Sequence, residues 1–241
     1  MIVTGASSGL GEQMARALAG AGAVPVLAAR RAGRLEALRE ELGGADAVPC
    51  DVTDAADRER LVDHVIERHG RLDGLINNAG AGATAPALRT STEAFAQVLE
   101  LNLTAPFALS CLAAARMRRN GGGSIVNVAS VMGLRSIGEI PDAAYVASKA
   151  GVIGLTRELA SQWGRYGVRV NALAPGFFAS EMTAELGDDP DGFPEFLLAG
   201  TPLGRGGRAG ELDAAVLFLL GAGGSFVTGH VLSVDGGLAV R

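Results

Sequence analysis

The sequence predicts a single α/β domain built on a doubly wound parallel sheet of about seven strands. Short β-branched or aliphatic runs alternate with longer stretches of helical period. A glycine-rich turn stands between the first strand and the first helix. Together these segments account for nearly all of the 241 residues, with no repeat or linker dividing them, so 1–241 is read as one domain.

The strand runs fall at 1–4, 24–29, 47–50, 72–77, 124–130, 168–173 and 231–234. Between them Leu10, Met14, Ala17 and Leu18 share one helical face, as do Leu35, Leu38 and Leu42, and then Leu61, Val62, Val65 and Ile66. Apolar stripes at that spacing pack on a sheet. Two later helices are longer, from about 91 to 117 and from about 144 to 163. The stretch 177–208 carries an acidic DDPD run at 188–191 and scattered Gly and Pro, and is expected to be a mobile substrate lid. Only Met1, Ile2 and Val3 precede Thr4, short for a central parallel strand, which leaves open whether the native chain starts upstream of Met1.

Hydrophobic residues at 48% and charged residues at 20% are ordinary globular usage and exclude general disorder. The 35 glycines are the outlier, and the excess is expected in functional turns. A net charge of -5 argues against a nucleic-acid partner, which needs clustered Lys and Arg. Cys50 and Cys111 are too few for a disulfide framework and have no metal-ligand spacing, so both are expected as reduced, buried thiols and no metal site is expected. His64, His69 and His230 lie outside every motif. Neither a signal peptide nor a membrane span is read, and the expected location is cytoplasmic.

The turn Thr4-Gly5-Ala6-Ser7-Ser8-Gly9-Leu10-Gly11 lets backbone N–H groups approach a diphosphate at a helix N-terminus, although its glycine spacing differs from the common GxGxxG form. Support comes from Asn77-Asn78-Ala79-Gly80 at the end of the fourth strand, the edge where open α/β sheets bind ligands. Asp51-Val52 occupies the same edge after strand three. Its carboxylate suits the exocyclic amino group of a base, and equally an ordinary turn or N-cap. After strand two, an acid would accept a ribose 2′-hydroxyl, but the chain reads Ala28-Ala29-Arg30-Arg31. Arg30 and Arg31, with the Ser8 hydroxyl, suit a 2′-phosphate, unless they merely begin an exposed helix. NADP(H) is therefore the expected cofactor, with NAD(H) a possibility.

Tyr145 and Lys149 lie four residues apart, on one face of a helix. A cation about 4 Å from a phenolate, at an effective dielectric near 20, contributes roughly 4 kcal/mol, on the order of three pKa units before desolvation. Lys149 is thus expected to bring the Tyr145 phenol toward working pH. Ser130 ends strand five, which puts its hydroxyl at the same edge. Asn102, within Leu101-Asn102-Leu103, is polar in an apolar stretch and is either functional or a satisfied core amide.

In this order the motifs resemble the short-chain dehydrogenase/reductase family. TGASSGLG at 4–11, DV at 51–52, NNAG at 77–80, Asn102, Ser130, YVASK at 145–149, Asn171, Pro175-Gly176 and Val234-Asp235-Gly236-Gly237 carry the likeness over essentially the whole chain. The resemblance implies a Rossmann-type fold and a catalytic tetrad of Asn102, Ser130, Tyr145 and Lys149. It implies cofactor contacts from Gly5, Ser7, Ser8, Gly9, Leu10 and Gly11, from Arg30, Arg31, Asp51 and Val52, from Asn78, Ala79 and Gly80, from Tyr145 and Lys149, and from Pro175, Gly176, Phe178 and Ser180.

By the same resemblance Ser130 polarises a carbonyl, Tyr145 donates a proton while hydride arrives from nicotinamide, Lys149 lowers the phenol pKa and Asn102 anchors a water. The implied activity is NADP(H)-preferring reduction of a ketone or oxidation of a secondary alcohol by a homotetramer. The alternatives are a 3-oxoacyl-thioester reductase, for which Arg116, Arg118 and Arg119 would offer a basic docking rim, and a sugar or polyol dehydrogenase. A catalytically silent nucleotide-sensing scaffold is the non-enzyme alternative, and the intact tetrad argues against it. The interval from Ser130 to Tyr145 is longer than in many members. It brings Met132, Leu134, Ile137, Ile140 and Pro141 toward the site for an apolar substrate portion, with Arg135, Glu139 and Asp142 as contacts for a polyol.

Overall fold

Each of the seven apolar runs becomes a strand of one parallel sheet in the computed structural model, which describes residues 1–181 and 193–240. In chain order the elements are β1 (Ile2–Thr4), α1 (Gly9–Gly20), β2 (Val26–Ala29), α2 (Ala32–Leu42), β3 (Asp46–Pro49), α3 (Ala55–His69) and β4 (Gly74–Asn77). They continue with α4 (Thr92–Leu99), α5 (Ala105–Met117), β5 (Gly123–Val128), α6 (Ala143–Trp163), β6 (Val168–Pro175), α7 (Glu195–Gly200), α8 (Asp213–Leu220) and β7 (Val231–Val234). The strand order is β3-β2-β1-β4-β5-β6-β7. The direction of winding reverses between β1 and β4, the switch point at which such sheets open a crevice.

Alternation along the strands builds the two cores. Ile2, Val26, Leu75 and Ile125 point to one face, where Leu61, Leu109, Met117 and Leu159 of α3, α5 and α6 cover them. Their neighbours Val3, Leu27, Ile76 and Val126 point to the other, under Met14 and Leu18 of α1, Leu35 of α2 and Val216 and Leu219 of α8. Successive side chains of a strand face opposite ways, so aliphatic pairs such as Ile2-Val3 serve both layers of a sheet buried on both faces. Leu109 is 1% exposed and belongs to this core, whereas Phe107 on the same helix is 45% exposed.

The predicted helix over 91–117 is interrupted. Between α4 and α5 the residues Glu100–Thr104 form one π turn, with Asn102 inside it. The widened turn is invisible to a 3.6-residue pattern because it adds a residue without breaking the helix. Within the continuous helical stretch Thr92–Asn120 an 18-residue window reaches a mean hydropathy of 1.5, long and apolar enough by composition to cross a membrane. In the fold its Leu109, Ala113 and Met117 lie against the sheet.

Of the expected lid at 177–208, residues 182–192, including the DDPD run, lie outside the described residues. The described parts pack. Phe178, Phe193 and Leu197 are buried, and Leu197 joins Val131, Met132, Ile137, Ile140 and Leu238 in a small cluster beside the end of β5.

The short β1 is aimed by its neighbours. Ile2–Thr4 pairs with β2 on one side and Ile2 and Val3 with β4 on the other. The glycine turn leaving β1 is then compressed against the end of β4. A Cβ on Gly11 would meet the Gly5 carbonyl and lie 2.5 Å from Asn78 Nδ2. Gly11→Ala is therefore expected to destabilise the chain by about 1–3 kcal/mol, the usual range for overpacking, measured as a lowered midpoint of urea denaturation.

Candidate active site

Backbone groups that leave a parallel sheet at its carboxyl edge need new partners, and in the β4–α4 loop side chains from three other elements supply them. Thr4 Oγ1, at the end of β1, accepts from the N–H groups of Asn78 at 2.9 Å and Ala79 at 3.0 Å. The Asn78 side chain returns a bond to the Thr4 carbonyl at 2.9 Å. Asn102 Oδ1 accepts from Ala81 N at 3.0 Å, while its Nδ2 donates to the Ala81 carbonyl at 2.9 Å and to Ser148 Oγ at 3.0 Å. Asp142 Oδ2 accepts from Ala83 N at 2.7 Å, and its Oδ1 caps α6 by accepting from Tyr145 N at 3.0 Å. The loop is thereby stitched to β1, to the π turn and to the first turn of α6.

Along this edge runs a cleft of about 770 Å³. Its lining takes in every expected site residue except Gly11 and Asn102. Gly11 lies beneath the turn against Gly5, and Asn102 is a buried amide behind the Ala81 wall, with both its polar side-chain atoms bonded. At one end the cleft is bounded by Ser7, Ser8, Arg30, Arg31, Asp51 and Val52, and at the other by Ser130, Tyr145, Met132, Ile140 and Phe177.

At the first end, Asp51 Oδ1 accepts from Thr53 N at 3.0 Å and from Thr53 Oγ1 at 2.7 Å, bonds that hold its carboxyl below the usual range. It is a turn residue and lines the cleft at once. Arg31 donates from Nε to Ser7 Oγ at 3.1 Å and from Nη2 to Ser8 Oγ at 2.5 Å, with Nη1 on the Glu181 carboxylate at 2.9 Å. Cys50, buried beside Asp51, has its thiol pushed up to about 11, chiefly by burial, so it is an inert wall residue.

At the second end, Ser130 follows β5 and its Oγ accepts from Met132 N at 3.1 Å. Lys149 is 4% exposed and donates from Nζ to the Val128 carbonyl at 2.7 Å. Its ammonium lies 5.5 Å from the centroid of the Tyr145 ring. Burial lowers the Lys149 pKa to about 8. The Tyr145 phenol, expected to be acidified, instead moves above its ordinary value. Burial raises it first, hydrogen bonding with Ser130 opposes this, and the Asp142 charge adds to the rise. The expectation counted the attraction of Lys149 before desolvation, and in the folded chain desolvation governs both partners.

Asp142, expected as a substrate contact, lines the cleft and is also the cap that fixes the helix bearing Tyr145 and Lys149. Arg135 donates to the Leu238 carbonyl at 2.9 Å, and Glu139 is exposed outside the lining. Met132 and Ile140 line the cleft, while Ile137 packs beneath them. Arg116 pairs with Asp63 and Arg118 lies over the Tyr166 ring, at the amino end of β5, the edge opposite the cleft.

The residues fit a nicotinamide dinucleotide. The bare backbone of Gly5 and Gly9 opens toward the start of the 12-residue α1, whose N-terminus favours a diphosphate, and Asp51 and the arginines stand at the ends of β3 and β2. Among the described residues no cluster of metal-ligating side chains occurs.

Comparison with known proteins agrees. The family model described as Enoyl-(Acyl carrier protein) reductase matches residues 5–239. Galactitol 2-dehydrogenase (L-tagatose-forming) of Cereibacter sphaeroides is 41% identical over 99% of this chain and 94% of its own length. A 3-oxoacyl-[acyl-carrier-protein] reductase of Thermotoga maritima is 36% identical over 99% and 97%. The crystal structure of a gluconate 5-dehydrogenase from Burkholderia cenocepacia in complex with NADP and tartrate superposes with a TM-score of 0.92 at 35% identity, covering 100% of this chain and 94% of that one. With fold, cleft and motif order in agreement along its length, the chain belongs to the short-chain dehydrogenase/reductase family and is a nicotinamide-dependent oxidoreductase acting on alcohol and carbonyl groups.

Proposed function

We propose that the protein reduces a ketone, and in reverse oxidises a secondary alcohol, of a small uncharged substrate, with NADP(H) preferred over NAD(H). The observation that carries the reading is that one cleft holds both the glycine turn with its arginines and the Ser130 and Tyr145 hydroxyls. The bound dinucleotide supplies the hydride. Ser130 hydrogen-bonds the substrate oxygen and Tyr145 transfers the proton at that oxygen. A phenol above its ordinary pKa is protonated at neutral pH, the form that gives a proton to a developing alkoxide. Lys149 provides positive potential behind the phenol, and Asn102 and Asp142 act as positioning residues through the loop and helix they hold.

The substrate end is uncharged on its basic side. Apart from Lys149, the cationic residues lining the cleft are Arg30 and Arg31, at the opposite end. Among the described residues a carboxylate substrate finds no guanidinium partner at that end, whereas Thr84, Gln97 and Glu100 suit hydroxyl groups. The likeness to galactitol 2-dehydrogenase is compatible with a polyol or keto-sugar, and the preference over an aldonate rests on the cleft lining alone. Exposed Phe107 on α5 and Phe218 on α8 support the homotetramer included in this reading.

Tyr145→Phe is expected to lower kcat with NADPH by about 10²–10⁴-fold while fluorescence titration finds NADPH binding within about twofold of the parent. Undiminished turnover overturns the reading. In a substrate panel, hexitols and their keto forms are expected to give kcat/KM at least about tenfold above aldonates of the same chain length, and the opposite order refutes an uncharged substrate.

Lys149 also makes stability depend on pH. Its folded pKa, about 8, lies below the ordinary lysine value of 10.5, so the unfolded chain holds the extra proton between these limits. Stability from this residue is complete above pH 10.5 and is lost as pH falls through about 8. The difference in unfolding free energy between the parent and Lys149→Met should therefore grow from pH 8 to 10.5. The gain is at most about 3 kcal/mol, measured by denaturant titration across that range.

A further inference from the structure

Glu181 follows Ser180 in the segment that leaves the sheet beyond β6, yet its carboxylate reaches across the switch point to the end of β2. It accepts from Arg31 Nη1 at 2.9 Å and also pairs with Arg34 in the first turn of α2. Arg31 spends its remaining nitrogens on Ser7 and Ser8. The guanidinium groups beside the ribose-binding edge are thus already matched with an anion supplied by the chain itself.

A carboxylate and a phosphate are alternative occupants of one guanidinium fork. We propose that Glu181 is a selectivity residue for the cofactor, its carboxylate holding the Arg31–Arg34 pair that a 2′-phosphate would take and so setting the margin between NADP(H) and NAD(H). The inference rests on the reading that Arg31 receives the 2′-phosphate. A cofactor with a 2′-hydroxyl leaves the carboxylate in place. A 2′-phosphate has to displace it or share the arginines with it, so only the surplus over the internal ion pair appears as preference. Hydrogen bonds from Arg34 and then Arg31 hold the Glu181 pKa to about 2, which keeps it an anion throughout the neutral range.

The side chains involved are about half exposed, 44% for Arg31 and 53% for both Arg34 and Glu181, so their removal leaves the core intact. The test is calorimetric titration of the full chain and its Glu181→Gln and Arg31→Gln variants with adenosine 2′,5′-bisphosphate and with adenosine 5′-monophosphate. Glu181→Gln is expected to tighten the bisphosphate by roughly three- to tenfold, the scale of one or two half-exposed ion pairs. The monophosphate should stay within about twofold. If Arg31→Gln weakens the bisphosphate while Glu181→Gln leaves it unchanged or weaker, the selectivity role of Glu181 is overturned and the 2′-phosphate reading stands. If neither variant alters the bisphosphate, both fall.

Discussion

The β4–α4 loop must satisfy its backbone where the parallel sheet ends, and the site is built from the way it does so. Thr4 takes the N–H groups of residues 78 and 79, Asn102 takes that of 81, Asp142 takes that of 83, and the Pro141 carbonyl takes that of Ala85 at 2.8 Å. The acceptors come from three separate parts of the chain, so β1, the π turn and the start of α6 are set relative to one another by the same short loop. A buried donor without a partner costs about 1–3 kcal/mol, which makes this stitching cooperative with the fold. The glycine turn and the Tyr145–Lys149 face are held to a common cleft by it.

Burial at the catalytic end has an electrostatic consequence. Lys149 sits inside the protein with its ammonium on the Val128 carbonyl, and Tyr145 stands over it with the carboxylate of Asp142 close by. The same packing that orients the pair removes water from both, weakening the charge of one and the acidity of the other. In this state the phenol is a proton donor and the lysine is poised close to neutrality, whereas phenolate chemistry needs a further favourable charge or hydrogen bond at the hydroxyl.

Alternate polar and apolar demands also explain the rest of the interior. Asn77 donates to Asn127 Oδ1 at 2.8 Å and to Ser110 Oγ at 2.9 Å, and Asn127 donates to Thr156 Oγ1 at 3.0 Å. This chain of buried amides and hydroxyls crosses from β4 through β5 to α6 under the cleft. Fully partnered, it fixes the register of the strands that lead into Asn78 and Ser130.

The amino-acid sequence by itself determined the seven strands, their parallel direction with helical crossovers, and the edge at which Gly5, Asp51, Asn78, Ser130 and Tyr145 meet, because period, turn glycines and strand-end polar residues are local signals. It also placed Arg31 at the end of β2. It did not reveal the π turn, whose extra residue leaves the apolar pattern intact, nor the work of Thr4 and Asp142, which caps backbone far away in the chain. Glu181 and Arg34 were missed for the same reason, since 147 residues separate the partners of that ion pair. The protonation of Tyr145 and Lys149 was settled only by tertiary structure. Spacing fixes how near two charges lie, and the surrounding packing fixes how much water they lose.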